Sequence, residues 1–149
     1  MIEKSEISII IVSYNVRQYL LPCITSVIDT CRDMDHEIIV VDNASTDGSA
    51  EAVKEQFPQV KVIINQNNAG FAKANNQGYE ISTGDYILLL NPDTVAKPGA
   101  IKTVLEFMRS TPAVGLAGCR MVDEDGNLQK TIKRMPSVTG NIIQALFLD

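Results

Sequence analysis

Histidine is almost missing from this chain: His36 is the only one among 149 residues. Any mechanism that needs a histidine pair, or a metal held by several histidines, is excluded within the chain. Cysteine is scarce too. Cys23, Cys31 and Cys119 are odd in number and form no C-x-x-C pair, so they are expected as reduced packing residues and not as a disulfide framework or zinc site. Positive charge is in deficit, with 13 Lys and Arg against 18 Asp and Glu and a net charge of −5. Attraction to nucleic acid or to an anionic membrane needs the opposite excess, so no nucleic-acid partner is expected. Runs such as Ile7–Val12 and Tyr86–Leu90 fall far short of the roughly 18 apolar residues that cross a bilayer. The opening MIEKSEISIIIV has no small-residue cleavage site, so no secretory signal is expected, and the expected location is the cytoplasm or the inner face of the membrane.

Three motifs are missing as well. No G-x-G-x-x-G follows the first apolar run, no G-x-x-x-x-G-K-[ST] occurs, and there is no G-x-S-x-G. Their absence removes the dinucleotide fingerprint, the Walker-type phosphate loop and the hydrolase nucleophile elbow.

What is present is an alternation. The β-branched run Ile7–Val12 reads as a strand covered on both faces. Asn15, three residues before Gln18, is expected to cap a helix whose main part starts near Leu21, because Pro22 interrupts the pattern. A second strand is expected over Glu37–Val41, a helix over Ser49–Gln56, a third strand over Val60–Ile64 and a helix over Phe71–Ile81. Asp85–Leu90 reads as a fourth strand, Pro98–Arg109 as a helix, Ala113–Cys119 as a fifth strand, and Asp125-Gly126 as a hairpin turn. Strand and helix in alternation imply an α/β fold with a Rossmann-like, doubly wound, mostly parallel sheet. Residues 1–120 are expected to form this domain, and 121–149 the incomplete start of another region.

In an open sheet of this kind ligands bind outside the carboxyl ends of the strands. The four expected strands deliver Ser13-Tyr14-Asn15, Asp42-Asn43, the segment Asn65–Gly70, and Asn91-Pro92-Asp93 to that rim. Any one of these could be a solvated loop or a helix cap. Four on one edge, holding hydroxyls, amides and two carboxylates, point to a ligand. Without a glycine-rich loop or a basic cluster, a diphosphate there needs a divalent cation, and oxygen ligands suit Mg²⁺ or Mn²⁺. Asp93 is the natural ligand.

The runs SIIIVSYN, IIVVDNASTDGS, NQNNAGFAKANNQG and GDYILLLNPDT together resemble family 2 of the glycosyltransferases, and within it the rhamnosyltransferase-like branch. The resemblance covers Ser8 to Thr94 and implies the GT-A fold. It also implies inverting transfer of a sugar from a UDP- or dTDP-linked donor to a hydroxyl of a glycan or lipid-linked acceptor. By resemblance, Ser13, Tyr14 and Asn15 meet the nucleoside, Asp42 and Asn43 the base, and Asn68, Gly70 and Asn75 the nucleoside and its phosphates. Asp47 matches a nearby family position that helix capping explains equally well, and Lys73 suits a solvated helix face. Asn91 and Asp93 match the two ends of the family's D-x-D metal motif. Asn91 departs from that motif, since an amide carries no charge, and leaves the cation mainly to Asp93 and the diphosphate.

A family-type general base should follow the metal motif, and nothing after Asp93 matches it; Asp123, Glu124 and Asp125 read as a solvated turn. The base is therefore expected beyond Asp149, with this chain an N-terminal portion. Two rivals remain from the residues themselves: a nucleotidyltransferase, which would want a basic glycine-rich loop where SYNVRQYL stands, and a catalytically inactive nucleotide-sugar-binding module. A receiver-type signalling domain would want an acidic pair after the first strand and an acceptor aspartate after the third, and both are missing.

Overall fold

Seven successive residues of the first strand, Ile7–Ser13, are buried, which happens only where both faces of a strand are covered. In the computed structural model, which describes residues 4–123 and 125–129, this strand (β1) is followed by α1 (Arg17–Thr30), β2 (His36–Asp42), α2 (Ser49–Gln56), β3 (Lys61–Ile64), α3 (Phe71–Glu80), β4 (Tyr86–Leu90) and α4 (Ala100–Ser110). The four strands form one parallel sheet in the order β3-β2-β1-β4.

Side chains alternate across a strand, so β1 and β2 feed two cores. Ile9, Ile11, Ile38 and Val40 pack with Leu20, Cys23, Ile24 and Val27 of α1, Val53 of α2 and Leu105 of α4. Ile10, Val12, Ile39 and Val41 pack with Ala74 of α3. Helices therefore cover both faces, and the sheet is doubly wound. The chain runs outward from β1 to β3 and then returns to pair β4 on the other side of β1. That reversal opens a crevice at the carboxyl ends of β1 and β4.

Two expectations fail. Asn15 does not cap α1, which begins at Arg17 and runs through Pro22. Asn15 has φ +54 and turns its amide to the neighbouring loop, while Asp47 takes the Arg17 N–H. Pro22 lies on the exposed side of α1, where it gives up a single helix hydrogen bond to Gln18. The second failure is the fifth strand. Ala113–Cys119 forms no ladder, since Gly115 and Gly118 dilute its strand preference and Leu116 is 90% exposed.

Contacts divide the chain into two units, 1–117 and 118–149. In the second, Val122 and Leu128 form an antiparallel bridge around a turn in which Gly126 has φ +84 and the Asp123 carboxylate accepts the Asn127 N–H at 2.8 Å. Glu124 and the stretch Pro136–Asp149 lie outside the described residues. Among the described residues no helix is long and apolar enough to cross a membrane.

Candidate functional site

The strand register sets the rim. Ser13 pairs with Asp42 and Asp42 with Ile64, so β1, β2 and β3 end level. Leu90 pairs with Ile11, so β4 ends earlier and Asn91-Pro92-Asp93 begins beside the last residues of β1. By alternation Ser13 and Asp42 face the side of the sheet that α1 covers.

Both are enclosed, at 0% and 1% exposure. One Asp42 oxygen, Oδ2, accepts the Ser45 N–H at 2.9 Å and closes the loop after β2. Among the described residues, Asp42 Oδ1 and Ser13 Oγ have no hydrogen-bond partner. Two adjacent strands thus present orphan oxygens side by side, each costing about 1–3 kcal/mol unless something satisfies it.

The loops after β1 and β2 are laced together. Asn15 N–H donates to Ser45 Oγ at 2.9 Å, and Asn15 Oδ1 accepts the Thr46 N–H at 2.8 Å. Asp47 accepts the Arg17 N–H at 2.8 Å and the Ser49 N–H at 3.0 Å, and also the Ser49 hydroxyl. Burial opposes ionisation of Asp47, but these donors outweigh it and hold its carboxyl below the ordinary value. Tyr14 between them is half exposed, at 50%.

Asn43, 2% exposed, serves the interior: its Oδ1 accepts from Asn65 Nδ2 at 2.9 Å, and Asn65 and Gln77 exchange a reciprocal pair of side-chain hydrogen bonds. The next segment is held locally. Asn68 Oδ1 accepts the Gly70 N–H at 2.9 Å, Gly70 adopts φ +83, and Asn75 Nδ2 donates to the Phe71 carbonyl within α3. Lys73 is exposed.

Asn91 and Asp93 are exposed on the loop after β4. The loop sits against α1, where Cys23 Sγ donates to the Asn91 carbonyl at 3.6 Å. Burial pushes the Cys23 thiol up to about 12; the Thr94 N–H opposes that rise and the charge of Asp93 adds to it. Cys23 therefore remains a thiol, and Asp93 lies close enough to α1 to act on it, on the side that Ser13 and Asp42 face. Among the described residues no three His, Cys, Asp or Glu side chains gather as a metal cluster. One carboxylate and one amide are hard oxygen donors of the kind Mg²⁺ or Mn²⁺ takes, and they fit a shared site in which ligand phosphates complete the shell.

Sequence reasoning singled out the rim but gave no role to Gln77, which lies within the run NQNNAGFAKANNQG, or to Cys23 and Ser26, which sit inside α1 and carry no motif. Asn65 was placed at the rim as the first residue after β3, and the structure pairs its amide with Asn43 and Gln77.

The sequence model described as "Glycosyl transferase family 2" matches residues 8–147. The Streptococcus pneumoniae protein named "Glycosyltransferase GlyG" is 33% identical over 127 residues, covering 81% of this chain and 42% of its own length. A Mycobacterium tuberculosis protein named "N-acetylglucosaminyl-diphospho-decaprenol L-rhamnosyltransferase" is 28% identical over 112 residues, 68% of this chain and 36% of its own. In fold, the chain is similar to the mannosyltransferase PcManGT of Pyrobaculum calidifontis, solved with GDP-Man and Mn²⁺, at a TM-score of 0.62 and 22% identity over 72% of this chain and 33% of that one. The chain thus spans less than half the length of each of these relatives.

Proposed function

The chain belongs to glycosyl transferase family 2, and on that premise we propose that it forms the donor-binding part of a transferase that takes a sugar from a UDP- or dTDP-linked donor. The observation that carries the reading is the pair of orphan oxygens, Ser13 Oγ and Asp42 Oδ1, enclosed at the carboxyl ends of adjacent strands. A nucleoside base and ribose bring the N–H and O–H groups such atoms want. Tyr14 offers an exposed ring beside them for the base. Asn15 and Asn43 act by shaping the loops, Asn68, Gly70 and Asn75 by fixing the segment that borders the phosphates.

Asp93, with Asn91, would hold Mg²⁺ or Mn²⁺ against the diphosphate. When bound, the ion offsets the charge that grows on the leaving phosphate oxygen. Because the other amide-bearing positions are neutral, the protein's own contribution there is one carboxylate, and nucleotide and cation should bind together more tightly than either alone. The acceptor is a hydroxyl of a glycan or of a lipid-linked sugar, a reading supported by the name of the mycobacterial relative. Transfer inverts the anomeric carbon and needs a general base. That base is assigned to the part of the family's length that this chain does not span. An active fold with its base elsewhere and an inactive binding module share the donor site described here.

Titration of the chain with UDP- and dTDP-sugars, with and without Mn²⁺, tests the reading. Asp93→Ala should abolish the Mn²⁺-dependent gain in affinity, and Asp42→Ala should weaken nucleotide binding at every Mn²⁺ concentration. Unchanged binding in both variants would sink it.

A further inference from the structure

One face of α1 grips the loop that carries Asp93. Cys23, Ser26 and Thr30 follow one another at i, i+3 and i+7, which places them along a single side of a helix. Each reaches the backbone of the loop after β4. Cys23 Sγ donates to the Asn91 carbonyl at 3.6 Å, Ser26 Oγ accepts the Ala96 N–H at 2.9 Å, and Thr30 Oγ1 donates to the Ala96 carbonyl at 3.3 Å. Ser26 also donates its hydroxyl hydrogen to the Cys23 carbonyl at 2.7 Å. That bond consumes the only hydrogen of the group and leaves its lone pairs aimed at Ala96. Both ends of the six-residue segment Asn91–Ala96 are thereby tied to α1, while the Asp93 side chain between them stays exposed.

We infer that Ser26, with Cys23, is a positioning residue for the Asp93 carboxylate: α1 presents the loop at a fixed distance from β1, so that a cation held by Asp93 meets the phosphates of a nucleotide seated at Ser13 and Asp42. The inference rests on the reading of Asp93 as the cation ligand. It adds the part of the fold that holds that ligand in place. The only carboxylate in such a site gains most from this support, because the neutral amide of Asn91 corrects little of a misplaced charge.

Ser26→Ala removes the acceptor for the Ala96 N–H, and Cys23→Ala removes the donor to Asn91. Thr25→Ala, an exposed neighbour whose hydroxyl donates to the Leu21 carbonyl of its own helix, serves as control. In Ser26→Ala the Ala96 amide should exchange with solvent about fivefold faster, the effect of one lost hydrogen bond, while the amides of Ile9 to Ile11 keep their rates. The factor by which Mn²⁺ tightens UDP binding should fall about as far, with the affinity for UDP in the absence of metal unchanged. Ser26→Thr, which keeps a hydroxyl, should restore both. Unchanged exchange at Ala96 overturns the tether. Equal loss of UDP affinity with and without Mn²⁺ overturns the positioning role, since that is what loosening of the whole domain gives. A wild-type chain whose UDP affinity ignores Mn²⁺ refutes the role of Asp93 and this role with it, and the exchange rates then still decide whether α1 holds the loop.

Discussion

At the scale of single residues, two glycines behave in opposite ways. A Cβ placed on Gly84 would stand 2.5 Å from the Ser8 backbone nitrogen and 2.8 Å from the Ile7 carbonyl carbon. Backbone cannot step aside, so β1 and the entry to β4 would have to part. Gly84→Ala should therefore cost about 1–3 kcal/mol, the range for overpacking a close contact, read as a lower midpoint in urea unfolding. A loss under about 0.5 kcal/mol would show that the two strands have slack. Gly70 sits at φ +83 with nothing within 4 Å of an added Cβ, so a substitution there meets backbone strain without a clash. The sequence made Gly70 conspicuous, in a polar loop before a helix. It hid Gly84, which becomes special only because Ser8, 76 positions away, packs against the same spot: Ser8 Oγ accepts the Gly84 N–H at 2.9 Å.

At the scale of elements, Asp47 joins two helices. Its carboxylate meets Arg17, the first residue of α1, and Ser49, the first residue of α2. Helix N-termini leave N–H groups without helical partners, and here one side chain from the loop after β2 supplies both. Asp47→Ala should cost about 1–2 kcal/mol, more than an ordinary cap because both helices lose an acceptor, measured as a drop in thermal midpoint with the far-UV spectrum of the folded state retained. Asp47→Asn should recover part of that loss. A change within error of wild type would mean that the helix starts are held by packing alone. The strand positions were legible from their apolar runs, and α2 was legible to the residue. The start of α1 was not. Asn15 and Gln18 have the spacing of a capping pair, and nothing local reveals that Asp47, thirty positions on, is nearer the first N–H.

At the scale of the whole molecule, the amino end of the sheet is closed by Glu37, which ties four segments together. Oε1 accepts the Ser8 hydroxyl at 2.5 Å and both the N–H and hydroxyl of Thr83, at 2.5 and 2.8 Å, while Oε2 pairs with Lys61 Nζ at 2.6 Å. Burial opposes the charge, yet Lys61, Ser8 and Thr83 together outweigh it and lower the carboxyl from 4.5 to about 2. A carboxyl held lower in the folded than in the unfolded state contributes its stabilisation above the unfolded value and loses it as pH falls through the folded one. Unfolding midpoints should thus decline between about pH 4.5 and pH 2, and Glu37→Gln should flatten that decline while lowering stability at neutral pH. An equally steep decline in Glu37→Gln would place the acid sensitivity elsewhere. Because Glu37 lies at the opposite end of the strands from Asp42, nucleotide binding should be far less affected than stability.

The sequence by itself determined the alternation of strands and helices, the parallel sheet that alternation demands, and the polar rim from Ser13 to Asp93, because periodicity and strand-end chemistry are written within short stretches of chain. Only the tertiary structure decided that Ala113–Cys119 is no strand, that Ser13 and Asp42 stand side by side with unpaired oxygens, and that α1 holds the Asp93 loop. These depend on register and on partners far away in sequence, and no local pattern encodes the distance between two atoms that the chain brings together only when it folds.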